Sequence, residues 1–313
     1  MKHKRIILTG SAGFICSRLI NYLSKTYPKD EFIGIDRKHN NVEIHNENVI
    51  IHKLDINKEL PDYSGVDTVI HLAALPSVRD SEKRAEDVIL DNILATQNII
   101  NKCIEDWKPK KLIITSSSSV YDGSTEHEMY EDEKLKPLSP YASSKLACEQ
   151  MVKMYVDNGR LKGIQPIVIR PFTVAGVGQR DELSIRAIID SCLNDKVFTL
   201  YGNGLQKRDF CNIDDTCKAI EALMNCPSLK HTTYNIGTGK NISINEVIQK
   251  VCTMIGKPIT INYQPATIYD TMYTIANIDR IKQDTGWESK VSFDMSLQKQ
   301  IEWQKNELSK EKK

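Results

Sequence analysis

The sequence predicts an α/β protein in which a doubly wound, mostly parallel sheet is followed by a smaller C-terminal α/β lobe. In the first half, short apolar runs typical of strands alternate with longer amphipathic stretches typical of helices. The strand-like runs are apolar almost throughout, as expected for strands covered by helices on both faces. After Pro171 this alternation gives way to less regular runs, which indicates a second lobe.

The predicted elements of the first half form one series of strands joined by helices. Right-handed crossovers would place these strands in a single parallel sheet. The strands are predicted at 4–10, 31–36, 48–56, 67–74, 110–118 and 163–172, and the helices at 14–27, 85–107 and 140–157. In the second half, helices are predicted near 183–194, 215–224 and 245–255, interspersed with the strand-like runs VFTLYG, TTYNIG and ITINY.

These elements imply a boundary near Pro171. We expect residues 1–171 to form the first domain and 172–305 to form mainly the second lobe, followed by a charged tail at 306–313. The run at 231–237 is a candidate to return to the sheet of the first domain.

Composition and charge place the chain among ordinary globular proteins. It has 313 residues, of which 40% are hydrophobic and 27% charged, and 42 basic residues against 41 acidic ones give a net charge of +1. This balance argues against a nucleic-acid surface or a polybasic membrane patch as a partner. The sequence has no signal-like leader and no apolar stretch long enough to span a membrane, so we expect a cytoplasmic protein.

The eight cysteines are expected to be reduced thiols. They form no CxxC pair and no regular framework. The nearest pair, Cys211 and Cys217, is too widely spaced for a zinc knuckle, and His71 and His127 are isolated. We therefore expect no metal site.

A candidate dinucleotide site lies in the first predicted strand–helix turn, TGSAGFIC at 9–16. Gly10 allows a tight turn, and Gly13 lets backbone N–H groups approach a pyrophosphate at the positive end of the helix. The second strand ends at Asp36, where a carboxylate suits the ribose hydroxyls of NAD. Arg37 and Lys38 follow directly and suit the 2′-phosphate of NADP, so NADP stays open. Asp55, after the third strand, fits an adenine contact or plain surface charge.

Tyr141 and Lys145 are a candidate acid–base pair in the run YASSK. Four residues are about one helical turn, so both side chains leave the same face of the predicted helix. A lysine ammonium beside a phenol favours the phenolate, which suits proton transfer. Alone this spacing is weak, because an amphipathic helix with a buried Tyr and an exposed Lys has it too.

Taken together, these motifs resemble the extended short-chain dehydrogenase/reductases of the nucleotide-sugar epimerase/dehydratase group. The resemblance covers nearly the whole chain, because TGSAGFI, LDI, HLAA, SSSSVYD, YASSK, RPFTVAGVGQ, KRDFCNIDD and YNIGTG follow the order of the family. It implies a Rossmann-type NAD(P)-binding domain over 1–171 and a nucleotide-sugar-binding lobe over 172–305. It also implies a homodimer formed through a four-helix bundle of the helices at 85–107 and 140–157.

The resemblance assigns roles to individual residues. Ser117 would bond the reacting sugar oxygen, Tyr141 would move the hydroxyl proton, and Lys145 would favour the phenolate and hold the nicotinamide ribose. The implied cofactor-binding residues are Gly10, Gly13, Phe14, Ile15, Asp36, Arg37, Asp55, Ile56, Leu72, Ala73, Ala74, Asn92, Tyr141 and Lys145. The implied substrate-binding residues are Ser77, Val78, Ser117, Thr173 and Arg208.

The residues after Ser117 bear on the reaction. Related 4,6-dehydratases have an Asp-Glu pair at the positions of Ser118 and Ser119, and hydroxyls cannot replace that pair in removing water. The loop LPSVRDS at 75–81 resembles the loop beside the sugar in UDP-hexose and UDP-uronate epimerases. An NAD-dependent epimerase acting at the sugar 4-position is therefore favoured. The alternatives are an NAD(P)H-dependent 4-ketoreductase, a net 4-dehydrogenase and a non-catalytic dinucleotide-sensing protein.

Three departures from the family pattern stand out. Cys16 replaces the third glycine of the fingerprint, and Thr173 replaces a common Asn near the substrate diphosphate. The segment ATIYD at 266–270 lacks an Arg that many UDP-sugar epimerases have there. The nucleotide is thus left open among UDP, GDP, CDP and dTDP, with VFTLY at 197–201 expected beside its base.

Overall fold

The computed structural model describes residues 3–38, 46–76, 78, 80–267 and 271–311. Its strands are β1 (Arg5–Thr9), β2 (Glu31–Asp36), β3 (Val49–Lys53), β4 (Thr68–His71), β5 (Lys111–Thr115), β6 (Gln165–Pro171), β7 (Thr173–Ala175), β8 (Val197–Tyr201), β9 (Lys207–Arg208), β10 (Phe210–Asn212), β11 (Thr233–Ile236), β12 (Ile242–Ser243) and β13 (Thr260–Gln264). Its helices are α1 (Phe14–Thr26), α2 (Asp80–Lys83), α3 (Ala85–Lys102), α4 (Pro140–Asp157), α5 (Ser184–Leu193), α6 (Ile213–Asn225), α7 (Ile244–Ile255), α8 (Asp279–Thr285) and α9 (Phe293–Glu311).

Seven parallel strands form the main sheet, in the order β11-β6-β5-β4-β1-β2-β3. The strand order reverses between β1 and β4, and in such sheets a crevice opens at the carboxyl ends of the strands there. The predicted doubly wound, Rossmann-type sheet is confirmed, and the run at 231–237 does return to it, because β11 pairs with β6.

Helices cover both faces of this sheet, as the apolar strands predict. On one face Leu8 packs with Leu19 of α1 and Ile220 of α6. On the other face Ile7 packs with Ile99 of α3 and Val152 of α4. Alternate residues of β1 therefore belong to opposite cores, which explains why the strand sequences are apolar almost throughout.

The predicted helix at 85–107 changes its geometry near its end. α3 stops at Lys102, and Cys103–Trp107 form one π-helical turn that Lys108 closes in the left-handed conformation, with φ of 42°. Cys103 and Trp107 are both buried, and the Trp107 indole N–H donates to the Pro61 carbonyl at 3.1 Å. Residues four apart share a helix face, so both side chains point into the core.

The second lobe is built from small strand pairs packed on α5, α7 and α9. β8 pairs with β13 in parallel, β9 with β12 antiparallel, and β7 with β10 in parallel. Ile188, Val247 and Ile301, one from each of the three helices, are buried in its core. α9 continues to Glu311, into the segment expected to be a charged tail. Among the helices of the described ranges, none combines the length and apolar character needed to cross a membrane.

Candidate active site

A cavity of about 850 Å³ opens at the carboxyl ends of the central strands and continues beneath the second lobe. Its walls include the β1–α1 turn, the segments after β2, β4 and β5, the start of α4, and strand β8. Of the residues implied by sequence, it is lined by Gly10, Gly13, Phe14, Ile15, Asp36, Arg37, Asp55, Ile56, Leu72, Ala73, Ala74, Val78, Ser117, Tyr141, Lys145, Thr173 and Arg208.

The β1–α1 turn is a cradle that only glycine can form. Gly10 has φ of +79°, and a Cβ there would lie 2.8 Å from the Ala73 nitrogen. The Gly10 N–H donates to the Ile35 carbonyl at 2.8 Å, and the Gly13 N–H donates to the Gly10 carbonyl at 2.8 Å. The N-terminus of α1 lines the cavity, and its backbone N–H groups suit a bound pyrophosphate there.

Cys16, at the third glycine position, is accommodated by burial. Its side chain is 1% exposed and packs with Cys217 of α6 in the core. Burial raises the pKa of the Cys16 thiol well above its usual value, and the neighbouring Asp36 adds to the effect. The thiol is therefore unreactive. Because the small side chain is buried in the core, α1 packs on the sheet without the third glycine.

Asp36 is fixed at the end of β2 by two backbone donors. The Ala12 N–H donates to Oδ2 at 3.0 Å, and the Lys38 N–H donates to Oδ1 at 2.8 Å. The adjacent Arg37 is drawn aside, because its guanidinium pairs with Asp91 of α3 at 2.8 Å. A carboxylate thus lines the cavity here while the adjacent Arg37 is engaged by Asp91, which favours ribose hydroxyls over a 2′-phosphate.

Asn57 extends the wall beside Asp55, and the sequence reasoning missed it. Its backbone N–H donates to the Asp55 carboxylate at 3.1 Å, and its amide N–H donates to Asp91. The Asn57 amide oxygen is buried, lines the cavity region and has no hydrogen-bond partner among the described residues. An unused acceptor suits an amino group such as that of adenine.

Tyr141 and Lys145 reach the cavity from the start of α4. Ser139 caps this helix by accepting the Ala142 N–H at 3.1 Å, and Pro140 occupies its first position, so the first turn is rigidly placed. Lys145 is 3% exposed, and its ammonium donates to the Thr115 carbonyl at 2.9 Å. That bond ties the lysine to the end of β5.

Ser117 approaches the same wall from the segment after β5. It caps a single 3₁₀ turn, Ser118–Val120, and its hydroxyl oxygen accepts the Ser119 N–H at 3.2 Å. The Ser119 hydroxyl also lies 2.9 Å from it. Ser117, Tyr141 and Lys145 therefore all line the same cavity.

Two further hydroxyls at this wall have no partner among the described residues. Thr115 Oγ1 and Ser116 Oγ are buried, and both residues line the cavity beside Ser117. A hydroxyl both donates and accepts, so the pair suits the carboxamide of a nicotinamide ring. Together with the glycine cradle and Asp36, these unused groups fit a dinucleotide such as NAD.

Asn92 lies behind the cavity wall. It is 1% exposed, accepts the Leu75 N–H at 2.7 Å, and donates to the Leu75 carbonyl at 3.3 Å and to Ser144 at 2.9 Å. It thereby holds the segment after β4 against α4, and it is absent from the cavity lining. The predicted substrate residue Ser77 lies outside the described residues.

The lobe side of the cavity is lined by strand β8 and by two arginines. Phe198, Thr199, Leu200 and Tyr201 line it, as do Arg180 and Arg208. Arg180, which sequence reasoning did not select, pairs with Glu182 at 3.2 Å. Arg180 directly follows the family-like run RPFTVAGVGQ. That position could have identified it as a candidate site residue. Of the segment 266–270, residues 268–270 lie outside the described residues.

Asp209, next to Arg208, anchors this arginine's strand. Its buried carboxylate accepts the N–H groups of Thr238, Gly239 and Ala276 at 2.9–3.1 Å and the Thr238 hydroxyl at 2.7 Å. Burial raises the pKa of Asp209 to about 6, against the lowering effect of these donors. Arg208 therefore projects from a segment that is bonded to two others.

His71 is a buried structural residue. Its ring nitrogens lie 2.7 Å from Thr9 Oγ1 and 3.2 Å from Thr96 Oγ1. Burial, with a smaller effect of the Lys145 charge, lowers the pKa of His71 to about 3, so the ring is neutral. Within the described ranges, no three His, Cys, Asp or Glu side chains are arranged to hold a metal ion.

Comparison with known proteins identifies the class to which this fold and cavity belong. A model of the NAD dependent epimerase/dehydratase family matches residues 6–237, which is most of the chain. The chain belongs to this family and is an NAD-dependent enzyme.

Among the similar proteins are UDP-sugar 4-epimerases and proteins solved with UDP-sugars. The chain is 31% identical to the UDP-glucuronate 4-epimerase of Thermodesulfobacterium geofontis over 96% of each protein. The solved structure of MoeE5 in complex with UDP-glucuronic acid and NAD is similar, with a TM-score of 0.90 and 30% identity over 97% of this chain and 99% of that one. The UDP-glucuronic acid 4-epimerase of Bacillus cereus, also solved with UDP-glucuronic acid and NAD, has a TM-score of 0.85 and 29% identity over 96% and 99%.

Proposed function

We propose that the protein is an NAD-dependent epimerase that inverts the 4-position of a UDP-sugar. The observation that carries the proposal is that Ser117, Tyr141 and Lys145 line the same cavity as the glycine cradle of the β1–α1 turn. The relatives described above include UDP-glucuronate 4-epimerases, which supports UDP as the nucleotide and a hexose or uronate as the sugar.

In this proposal the chain's own residues hold the sugar and move one proton. Tyr141 takes the proton of the 4-hydroxyl and later returns it, while Lys145 keeps positive charge beside the phenol. Ser117 bonds the same sugar oxygen. Bound NAD supplies the hydride chemistry that makes and removes a ketone at the sugar carbon. Inversion then requires the intermediate to turn over in the cavity.

The cofactor and substrate sets follow the walls of the cavity. The glycine cradle, Asp36, Asp55 and the segment Leu72–Ala74 would hold NAD, which we favour over NADP because Arg37 is paired with Asp91. Val78, Thr173, Arg208 and the segment at 75–81, which includes Ser77, would hold the nucleotide sugar. Residues 1–171 and 172–305 would be the corresponding binding units, with β11 completing the first.

The test distinguishes the epimerase from its alternatives. Protein with NAD is incubated with UDP-glucose, UDP-glucuronate and UDP-N-acetylglucosamine, and products are separated and identified by NMR. An epimerase gives the 4-epimer without net reduction of NAD. An accumulating ketone in this assay would identify a net dehydrogenase. In a separate assay with NADH and a UDP-4-keto sugar, consumption of NADH would identify a reductase. No product with any substrate would contradict the proposal.

A variant locates the chemistry. Tyr141→Phe removes the proton carrier and is expected to lower kcat by roughly 10²–10⁴-fold, the usual contribution of a positioned acid–base group. The control is Tyr130→Phe, because Tyr130 is half exposed and its hydroxyl only approaches Glu128 at 3.4 Å. Equal activity of the Tyr141 variant and wild type would exclude this role for the Tyr141 hydroxyl.

We also propose a cytoplasmic homodimer with a role in carbohydrate biosynthesis. α3 exposes Ile89, Leu90 and Leu94, and α4 exposes Met154 and Val156, so apolar side chains are available for a four-helix bundle. All eight cysteines are unpaired thiols, which supports a reducing compartment.

A further inference from the structure

A buried polar cluster lies at the carboxyl end of β6, and the proposed mechanism assigns it no role. Arg170 is its centre and is 3% exposed. The guanidinium pairs with both carboxylate oxygens of Glu149, at 2.9 Å and 2.7 Å. It also donates to the Tyr121 hydroxyl at 2.7 Å and to the Glu131 carbonyl at 3.0 Å.

Each contact of Arg170 leads to an element that carries a proposed catalytic or substrate residue. Glu149 lies on α4, four residues beyond Lys145, so both side chains leave the same helix face. Tyr121 directly follows the 3₁₀ turn that Ser117 caps. Arg170 itself is three residues before Thr173. The Arg170 guanidinium therefore joins three segments: α4, the segment from Ser117 to Tyr121, and the end of β6.

The geometry of these bonds is directional. The Tyr121 hydroxyl donates to Asn235 Oδ1 at 2.8 Å, so it faces Arg170 as an acceptor. The Asn235 amide is in turn bonded to the Met129 and Asn277 carbonyls. A planar guanidinium in a bidentate pair fixes both the distance and the angle of its partners. Few other groups could hold α4 and the Ser117 segment in one orientation.

Stability alone is a poor explanation for this cluster. Removing two charges from water is costly, and a buried ion pair often contributes less to stability than apolar residues of the same volume. An apolar contact, however, would not define the direction between α4 and the 3₁₀ turn. A defined geometry at the site therefore explains this cluster better than stability does.

We infer that Arg170 is a positioning residue that, through Glu149 and Tyr121, sets the separation between the Ser117 hydroxyl and the Tyr141 phenol. This inference rests on the proposed function, because it assumes that both groups act on one sugar oxygen. Small errors in such a separation lower the rate of the chemical step more than they lower binding.

Tyr121→Phe tests the inference with little change of shape. The ring that lies 4.9 Å from the Arg170 guanidinium carbon is kept, and only the hydroxyl link between Arg170 and Asn235 is lost. The expected result is a kcat about tenfold lower with KM within roughly twofold of wild type, as for a misplaced group.

Tyr234→Phe is the matched control. Tyr234 is also buried, and its hydroxyl also bonds an acidic or amide partner, here Asp284 at 2.7 Å. It does not line the cavity. Both variants lose one buried hydroxyl, so a general loss of stability would affect both alike. If the two variants had the same kcat, the inference would be overturned.

A measurement without substrate separates the inference from the proposed function. Hydrogen exchange of the folded protein with NAD is followed in peptides covering 117–121 and 140–149. Tyr121→Phe is expected to speed exchange at 117–121, whereas Tyr234→Phe leaves both peptides unchanged. Unchanged exchange in the Tyr121 variant overturns the inference. Failure of wild-type protein to epimerise any UDP-sugar overturns only the proposed function.

Coupling through Arg170 gives a second criterion. Glu149→Gln keeps one acceptor for the guanidinium and removes the charge. If Glu149 and Tyr121 both act through Arg170, the two changes together lower kcat by less than the product of their separate fold-changes. Strictly multiplicative effects would mean that the two residues act independently and would contradict a shared positioning role.

Discussion

His71 shows how a single side chain in this protein links stability to pH. The ring is neutral in the folded chain because burial lowers its pKa to about 3, whereas an unfolded histidine titrates near pH 6.5. Below about pH 6.5 the unfolded state therefore binds a proton that the folded state does not bind. The stability that this residue contributes is present above that pH and is lost as the pH falls towards 3.

His71→Asn is expected to remove this pH dependence. In wild type, the free energy of unfolding should fall by up to about 1.4 kcal/mol per pH unit more than in the variant between pH 6 and 4, because one proton separates the two states. Urea titrations of both proteins across this range measure the difference. Parallel stability curves would show that His71 is not a neutral, buried group.

At the residue scale, the sequence identified those residues whose role depends on backbone or on local spacing. Gly10, Asp36, Tyr141 and Lys145 belong to short motifs, and all four line the cavity. Asn57 was not identified because its role depends on which of its amide atoms remains unpaired, and pairing is a property of the folded chain.

For other residues, the sequence did not predict the contacts that the side chain makes. Asn92 was expected at the cofactor, but its amide is already used by Leu75 and Ser144. The partners of a buried amide come from distant segments, and no spacing rule predicts them. The position of Arg180 at the cavity likewise depends on how the second lobe packs on the sheet, which no local pattern predicts.

At the element scale, the first turn of α4 carries the proposed catalytic residue Tyr141. Tyr141 is its second residue, and the Ser139 cap holds the turn by accepting the Ala142 N–H. A serine followed by proline is a start signal that the sequence displays openly, and the predicted bounds 140–157 agree with the structure.

Ser139→Ala is expected to lower the free energy of unfolding by about 1 kcal/mol, because the Ala142 N–H loses its acceptor. Ser139→Thr should keep most of the stability, since its hydroxyl can accept the same bond. The control is Ser143→Ala, at an exposed position of the same helix, where alanine is neutral or slightly favourable. Chemical denaturation of the four proteins gives the comparison. An unchanged Ser139→Ala protein would mean that the cap contributes nothing.

The elements that could not be predicted from the sequence are short or have weak hydrophobic periodicity. β9 and β12 have two residues each, and their pairing joins Lys207 to Ser243. Such strands exist only because the lobe folds around them, so no local periodicity marks them. Of α9, the sequence predicted only a charged tail at 306–313, since few side chains of this helix, among them Leu297 and Ile301, are buried apolar groups.

At the scale of the whole molecule, the exposed side of α3 is the clearest sign of a partner. Leu90 is 59% exposed and Leu94 47% exposed, four residues apart on one face. Apolar side chains in such a row are typical of a helix that packs against another helix. The homodimer proposed above would cover them with the same helices of a second chain.

Leu90→Glu is expected to convert the dimer into a monomer, because a charge would be buried in the helix bundle. Light scattering should then report the mass of one 35.6 kDa chain, while wild type has twice that mass. The control is Met295→Glu on α9, which is 53% exposed and lies on the other lobe. A wild-type mass of one chain would contradict the dimer directly. Circular dichroism checks that both variants stay folded.

The pairing of β11 with β6 has a consequence for how the protein is made. The dinucleotide-binding half is encoded first, but its sheet receives its last strand only after some sixty intervening residues have been synthesised. Until then β6 is an edge strand with free backbone groups, the kind of edge that recruits stray strands from other chains. A nascent chain therefore exposes this edge during translation, and we expect a fragment truncated after Pro171 to aggregate more readily than the whole chain.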